Sequence, residues 1–207
     1  MDGALDRSQT DEALIVRFQG GDRGAFAVLV KRHQTALYSF ALRNVRERTV
    51  AEDIVQECFV RVAQSAAEFK ADARFTTWVY TIVRNLCIDH SRKAKLRRHP
   101  SLDEARRGDE GDGPTLGEQT ADTKGGSDVE RTALGAELKK RILAAIDTLP
   151  EEQREVYLMR EISNLRFKEI AEITGQPENT VKSRMRYALE RLQEALKDYE
   201  EHARALK

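Results

Sequence analysis

The segment from 178 to 186 carries the side chains best suited to binding nucleic acid. It follows a turn with the sequence TGQP at 174–177, and nothing acidic interrupts it after Glu178. Its polar residues are amides, hydroxyls and cations, the types that hydrogen-bond to base edges and phosphates. They are Asn179, Thr180, Lys182, Ser183, Arg184 and Arg186. A helix with this outward face is suited to the major groove of duplex DNA.

Two short helices are predicted on either side of that turn. Their apolar residues are expected to pack together, namely Phe167, Ile170, Ala171 and Ile173 against Val181, Met185 and Leu189. Two helices joined by a glycine-containing turn, with the second one basic, are typical of a helix-turn-helix. The alternative is an ordinary helical hairpin with solvated lysines and arginines.

A second group of cations lies near the end of the first half of the chain and is opposed only by Asp89. Its members are Arg84, Arg92, Lys93, Lys95, Arg97 and Arg98, and the aromatic residues Phe69, Phe75, Trp78 and Tyr80 lie just upstream. Basic residues interleaved with aromatic ones suit unstacked, single-stranded bases. The alternatives are a solvated helix end for the cations and, as the favoured interpretation of Phe75 and Trp78, positions in the core.

The third group is acidic and lies on the outer side of a helix predicted from about Val50 to Ala66. It consists of Glu52, Asp53, Gln56 and Glu57, with Arg61 one turn later. Exposed acids on a helix are ordinarily just solvated. By themselves they indicate no partner.

Apolar residues recur at helical spacing from Ala13 to about Arg97 and again from about Leu134 to Leu196, and strand signals are nearly absent. The segment between these blocks is rich in glycine and acids and poor in large apolar residues, so it cannot offset the entropy of its own ordering. We therefore predict an all-α fold with two helical domains, 11–98 and 134–200, joined by a flexible acidic linker, 99–133.

Within the first block we predict four helices. Asp11 caps the first, which Gly20-Gly21 ends, and the second begins near Asp22. The third is the acidic helix, and the fourth starts after the FTT stretch at 75–77. In the second block, one amphipathic helix ends before Pro150, and another begins there and ends near Ile162.

The composition excludes several classes of protein. The chain has 35 basic and 35 acidic residues and no apolar run long enough to span a membrane, and its acidic N-terminus is unlike a signal peptide. Cys58 and Cys87 lie in apolar helical patterns and are expected in the core, and the four histidines are scattered. We expect a cytoplasmic protein that is not inserted in a membrane and is not an enzyme, with no metal or cofactor.

Five segments together resemble the sigma-70 family of RNA polymerase specificity subunits, in its extracytoplasmic-function group. The sequence AEDIVQECFVRV at 51–62 resembles the polymerase-binding helix, and FTTWVYTIVRN at 75–85 resembles the segment that follows it in that group. The sequences LPEEQREVY at 149–157, FKEIAEI at 167–173 and TVKSR at 180–184 resemble the fourth sigma domain. Their order and spacing are more specific than any one of them.

The resemblance implies a role for each group. Asp53, Gln56 and Glu57 match the surface that grips the clamp helices of the polymerase beta-prime subunit. The implied contacts to the -10 element are Lys70, Arg74, Phe75, Trp78, Arg84, Asn85 and Arg92, and those to the -35 element are the six polar residues of 178–186. Apolar positions of the second domain would hold the beta flap, and an anti-sigma factor is an expected partner.

The function that the resemblance implies is binding of core RNA polymerase, direction of the enzyme to promoter DNA, and promoter melting. Two other interpretations stay open at this point. One is a dimeric helix-turn-helix transcriptional regulator whose first block senses a ligand or dimerises. The other is an adaptor that binds partners without supporting transcription.

Overall fold

The structure is a computed structural model, and it describes residues 9–70, 73–97 and 126–205. Within these ranges the regular structure is helical and contains no strand, which confirms the all-α prediction. The helices form two domains, as the sequence predicted. The buried apolar residues of the two domains form one continuous cluster.

Four helices form the first domain: α1 (Asp11–Gln19), α2 (Arg23–Val45), α3 (Arg48–Ser65) and α4 (Phe75–Arg97). A 3-10 turn, Ala66–Glu68, follows α3. The second domain consists of α5 (Gly126–Thr148), α6 (Glu151–Tyr157), α7 (Phe167–Thr174) and α8 (Glu178–Ala205), and a π-helical turn, Leu158–Ile162, continues α6.

The start of α5 corrects part of the predicted linker, 99–133. Residues 126–133 form the first two turns of α5, whereas 99–125, with the acidic residues on which the linker prediction depended, lie outside the described residues. The prediction followed the glycine-rich composition and so extended the linker past the first residue of α5. Asp128 and Glu130 suit the positive end of a helix, and strong helix formers follow them.

The first turn of α1 also differs from the prediction. Thr10 caps the helix instead of Asp11, because its hydroxyl accepts a hydrogen bond from the backbone N–H of Ala13 at 3.2 Å. The Asp11 carboxylate lies one residue inside the helix, 2.8 Å from the guanidinium of Arg32 and 2.8 Å from Nε2 of His33. Asp11 therefore ties α1 to α2.

This link predicts a pH-dependent contribution to stability. Burial alone would raise the pKa of Asp11, but the interactions with His33 and Arg32 outweigh it and the pKa is lowered. Since the unfolded value is about 3.9, the carboxylate stabilises the fold above that pH and the contribution is lost as the pH falls through the lower, folded value. We expect Asp11→Asn to reduce the free energy of unfolding by about 1–2 kcal/mol at neutral pH. Urea unfolding should show this difference shrinking below about pH 4; a difference independent of pH would contradict it.

The core of the first domain lies where α2, α3 and α4 meet. Its fully buried residues recur at helical spacing: Leu29, Leu37, Phe40, Cys58, Val62, Phe75, Val79 and Val83. Cys58 and Cys87 are free and buried, and burial raises the pKa of both thiols to about 12. They are core residues, as predicted, and at neutral pH neither is a reactive thiolate.

α4 begins three residues earlier than predicted, at Phe75, because α1 supplies a cap from a distance. The carboxylate of Glu12 accepts a hydrogen bond from the backbone N–H of Phe75 at 3.2 Å. At the other end of α1, Gln19 donates to the carbonyls of Ala66 and Phe69 at 2.8 and 3.0 Å. α1 thus anchors both ends of the loop that joins the 3-10 turn to α4.

α7 and α8 form the predicted helix-turn-helix. Gly175 ends α7 in the left-handed conformation, with φ of 66°, which glycine adopts without strain. The buried residues of α8 follow the helical repeat: Val181, Met185, Ala188 and Leu192. The prediction that Leu189 is buried is wrong, since Leu189 is 48% exposed and Ala188 takes the inner position. On α7, Ile170 and Ile173 are buried as expected.

Candidate nucleic-acid interfaces

The N-terminal half of α8 presents most of its predicted DNA-binding residues to solvent. The exposed ones are Asn179, Lys182, Ser183 and Arg186, while Thr180 and Arg184 are partly buried. Lys182 pairs with Glu178 at 2.6 Å and Arg186 with Glu190 at 3.7 Å, both one turn apart along the helix. Exposed pairs of this kind contribute little to stability. Both cations can therefore exchange their carboxylate for a phosphate at small cost.

Arg184 is the exception on this helix because it is tied to α6. Its Nη2 donates to Glu152 Oε2 at 2.6 Å, and its side chain is 19% exposed, against 70% for that of Glu152. This contact fixes α8 against the start of α6. The sequence placed Arg184 among the DNA-binding residues without any sign of this partner.

Arg154 is a structural residue of the second domain that the sequence analysis missed. It is 6% exposed, and its guanidinium donates to the carbonyls of Leu149 and Asp147 at 3.3 and 3.5 Å. Burial lowers the pKa of this group. Arg154 therefore closes the turn between α5 and α6. The only sign of this role in the sequence was a cation at a position where helical spacing predicts an apolar residue.

The residues that the resemblance assigned to the -10 element fall into three sets. Lys70, Arg74, Asn85 and Arg92 are exposed and lie on or just before α4. Phe75 is fully buried and Trp78 partly buried. Arg84 contacts the second domain.

Phe75 and Trp78 belong to an aromatic cluster in the first domain. The Trp78 ring lies 5.1 Å from Phe69 and 6.1 Å from Phe75, and Phe75 lies 5.3 Å from the ring of His33. The interpretation of Phe75 as a core residue is confirmed. A base cannot stack on its ring in this arrangement, because the ring has no exposed surface.

The two domains contact each other directly at α4. Arg84 Nε donates to Glu155 Oε1 at 2.6 Å, and the side chains are 21% and 12% exposed. Nearby, Ser163 Oγ donates to the hydroxyl of Tyr80 at 2.6 Å. Tyr80 is 2% exposed, and burial raises its pKa to about 12, although the Ser163 hydrogen bond opposes the shift.

Three further contacts join the domains. Arg43 of α2 lies 2.7 Å from the carboxylate of Asp147, and Arg46 donates to the Asp147 carbonyl at 2.9 Å. Arg74 approaches Glu169 of α7 at 4.0 Å. Periodicity could not reveal any of these partners, since it reports which side of a helix is buried and not against which distant helix.

The acidic group on α3 faces solvent. Glu52, Asp53, Gln56 and Glu57 are all exposed, and Glu57 pairs with Arg61 at 2.8 Å. Val60, 47% exposed, lies on the same side of the helix. An exposed apolar residue among acids suits contact with a basic protein surface better than a role in the core.

Two features are absent from the described residues. No cluster of histidine, cysteine and carboxylate side chains there could hold a metal ion. No helix in the described ranges is apolar enough over a sufficient length to cross a membrane.

The sequence matches two family models in the order of the two domains. Residues 29–97 match Sigma-70 region 2, and residues 139–192 match Sigma-70, region 4. The ECF RNA polymerase sigma-E factor of Haemophilus influenzae is 32% identical over 184 residues, which cover 89% of this chain and 94% of the relative. The chain belongs to the sigma-70 family, in its extracytoplasmic-function group.

Two solved structures share the fold. The structure of CnrH in complex with the cytosolic domain of CnrY has a TM-score of 0.63 and 24% identity and covers 92% of this chain and 99% of that one. The sigma factor RpoE of Bartonella quintana, in complex with the anti-sigma factor NepR, has a TM-score of 0.60 and 22% identity over 83% and 96% of the two chains. With its family established, the chain is an alternative sigma factor that directs transcription initiation by RNA polymerase.

Proposed function

We propose that the acidic side of α3, centred on Asp53, Gln56 and Glu57, binds the clamp helices of core RNA polymerase. The observation that carries the proposal is the sorting of charge onto separate exposed surfaces. Acids are exposed on α3, whereas cations and amides are exposed on the N-terminal half of α8 and around α4. Opposite charges on one molecule suit a protein that joins a basic protein surface to DNA.

In the same proposal, α8 binds the -35 element in the major groove and the exposed residues around α4 bind the unpaired -10 strand. Phosphate contacts from Lys182 and Arg186 supply salt-dependent affinity, and contacts from Asn179 and Ser183 to base edges supply the choice of sequence. Trapping of an unpaired base drives melting, so the protein needs no catalytic step of its own. It acts in the cytoplasm, where polymerase and DNA are found.

Two protein partners complete the proposal. The beta flap of polymerase binds exposed apolar residues of the second domain, for which Ile162 and Leu189, 39% and 48% exposed, are candidates. An anti-sigma factor binds the free protein, and support comes from the sigma factor of the same fold that is bound to NepR. The family assignment favours this function over the dimeric regulator and the adaptor.

The proposal is tested by run-off transcription on a library of genomic fragments with purified core polymerase. We expect specific transcripts only when the protein is added, and tight DNA binding only when core polymerase is present. Failure to form a stoichiometric complex with core polymerase would contradict the proposal. Tight duplex binding by a dimer of the protein alone would favour the regulator instead.

One substitution on α8 separates the two kinds of DNA contact. Because the proposal places the Arg186 guanidinium on a phosphate, we expect Arg186→Ala to weaken binding by the polymerase complex equally on all sequences and to lower the slope of log K against log salt by about 1. A loss of about 1–3 kcal/mol confined to the promoter sequence would show a base contact instead. Fluorescence anisotropy at several salt concentrations measures both quantities.

The matched control for this substitution is Arg191→Ala. Arg191 is also exposed and lies on the same helix, beyond the basic N-terminal half. Arg191→Ala removes the same charge as Arg186→Ala, so a general electrostatic effect would appear in both variants. Equal losses in the two variants would remove Arg186 from the DNA interface.

A further inference from the structure

The cations on the N-terminal half of α8 do not all lie on one side of the helix. Lys182 and Arg186 are four residues apart and therefore project from neighbouring positions, whereas Arg184 lies about 200° around the helix from Lys182. The side chains of Lys182 and Arg186 are 51% and 64% exposed, against 19% for that of Arg184. The helix therefore directs Arg184 away from the side that carries the proposed DNA contacts.

Arg184 also has a different kind of partner. Lys182 and Arg186 pair with acids one turn away on α8 itself. Arg184 pairs with Glu152 on α6, 32 residues earlier in the chain, with 2.6 Å between Nη2 and Oε2. An ion pair within one helix leaves the orientation of that helix free, but an ion pair between two helices restricts it. Arg184 and Glu152 therefore fix the rotation of α8 relative to α6.

The start of α6 is a firm support for this contact. Two residues after Glu152, the side chain of Arg154 is buried and donates to two carbonyls of the turn that precedes α6. Burial raises the pKa of Glu155, and Arg184 is among the cations that oppose the shift, so its charge lies near a second carboxylate of α6. The guanidinium of Arg184 is thus held by a helix whose own start is fixed.

This arrangement separates orientation from contact on α8. A guanidinium that is mostly out of water is costly unless a carboxylate pairs with it, so Arg184 cannot leave Glu152 for a phosphate at small cost. Asn179 and Ser183, by contrast, lie on the exposed side of the helix. Hydrogen bonds to base edges tolerate little displacement of their donors and acceptors. A small rotation of α8 would therefore change which base edges these two side chains reach.

We infer that Glu152 is a positioning residue for the -35 element. Through Arg184 it sets how α8 is rotated in the major groove, while Arg184 itself makes no DNA contact. This inference rests on the proposed function, since it takes α8 as the helix that binds the -35 element. It gives an exposed acid, which by its charge repels DNA, a part in the choice of DNA sequence.

The test measures the choice of sequence separately from overall affinity. The probes are duplexes that carry the promoter recovered by run-off transcription, with its -35 element intact or changed at single base pairs. They are bound by the full-length protein in complex with core polymerase. We expect Arg184→Met and Glu152→Ala each to reduce the ratio of affinities for intact and changed elements about fivefold. The slope of log K against log salt should not fall in Arg184→Met, because no phosphate contact is lost.

The double variant shows whether the two residues act through one contact. Once the ion pair is broken, a second substitution should have no further effect. Arg184→Met combined with Glu152→Ala should therefore lose discrimination about fivefold, whereas independent effects would multiply to about 25-fold. Multiplied losses would overturn the inference. A salt slope that falls by about 1 in Arg184→Met, with equal weakening on all sequences, would overturn it as well, because it would show a phosphate contact.

Glu151→Ala is the matched control for Glu152→Ala. Glu151 is the adjacent exposed acid on α6, so its substitution removes the same charge. Loss of a negative charge should by itself tighten binding on every sequence in both variants and leave discrimination unchanged. Glu152→Ala should differ from the control only in its lower discrimination. Equal discrimination in the two variants would remove Glu152 from the reading of the -35 element.

Thermal melting shows whether the variants stay folded. The side chain of Glu152 is 70% exposed, so Glu152→Ala should melt like the wild type. If Arg184→Met melts at a lower temperature, the comparison of Glu152→Ala with Glu151→Ala still decides between the outcomes.

Run-off transcription separates this inference from the proposed function. If the wild type directs transcription and prefers the intact -35 element, but the variants discriminate equally well, only the positioning role of Glu152 is overturned. If the wild type directs no transcription with core polymerase, the proposed function itself fails.

Discussion

Replacing Phe75 by alanine should reduce the free energy of unfolding of the first domain by about 3–5 kcal/mol. The ring is fully buried between Phe69, Trp78 and His33, and its loss leaves a cavity that the surrounding helices cannot close. For a domain of this size each kcal/mol lowers the melting temperature by about 4–8 °C. Calorimetry or circular dichroism in the absence of DNA and polymerase measures the effect.

Two further variants test whether Phe75 stabilises the domain as a core residue. Phe75→Leu keeps most of the apolar volume and should recover much of the stability that Phe75→Ala loses. If the ring acted instead by stacking on a base, leucine would not replace it. Tyr187→Ala removes an aromatic ring that is 46% exposed and should leave the melting temperature almost unchanged. A Phe75→Ala protein of normal stability would show that the aromatic cluster is not the core of this domain.

Reversing the charge of Asp53 should weaken binding to core polymerase by about 2 kcal/mol, a factor of about 30. Asp53 is exposed at the middle of the acidic side of α3, so Asp53→Lys turns an attraction to a basic surface into a repulsion without disturbing the core. The effect should be larger at low salt, since exposed charges are screened. Titration of core polymerase with labelled protein at two salt concentrations measures it.

Glu194→Lys is the matched control for Asp53→Lys. It makes the same change of net charge at an exposed position in the second half of α8, away from α3. Thermal melting of both variants should equal that of the wild type. If Glu194→Lys weakens polymerase binding as much as Asp53→Lys does, net charge and not the α3 surface governs the interaction.

The sequence was sufficient for the features that depend on local chemistry. Helical periodicity predicted the inner sides of α2, α3 and α4, and the glycine at 175 marked the turn of the helix-turn-helix. The errors are also local and have local causes. Thr10 and Asp11 are both good caps one residue apart, and Leu189 lies one residue beyond the buried position that Ala188 occupies.

The contacts that the sequence could not predict join residues far apart in the chain. In the sequence, Arg84 is one more cation in a basic segment, but in the structure it pairs with Glu155. Tyr80 is one of the aromatic residues beside that segment, but in the structure its hydroxyl accepts a hydrogen bond from Ser163. The π-helical turn before Ser163 has no sequence signal that periodicity detects. The sequence therefore could not predict that the second domain contacts Arg84 and Tyr80.

The hydrogen bonds made by α1 have a consequence for the proposed binding of the -10 strand. Gln19 holds the carbonyls of Ala66 and Phe69, and Glu12 holds the amide of Phe75, so a helix that lies before the matched region 29–97 fixes the span of the loop ahead of α4. In the proposed function this loop lies beside the unpaired -10 strand. Any base that it admits therefore meets a loop whose two ends are held by hydrogen bonds from α1.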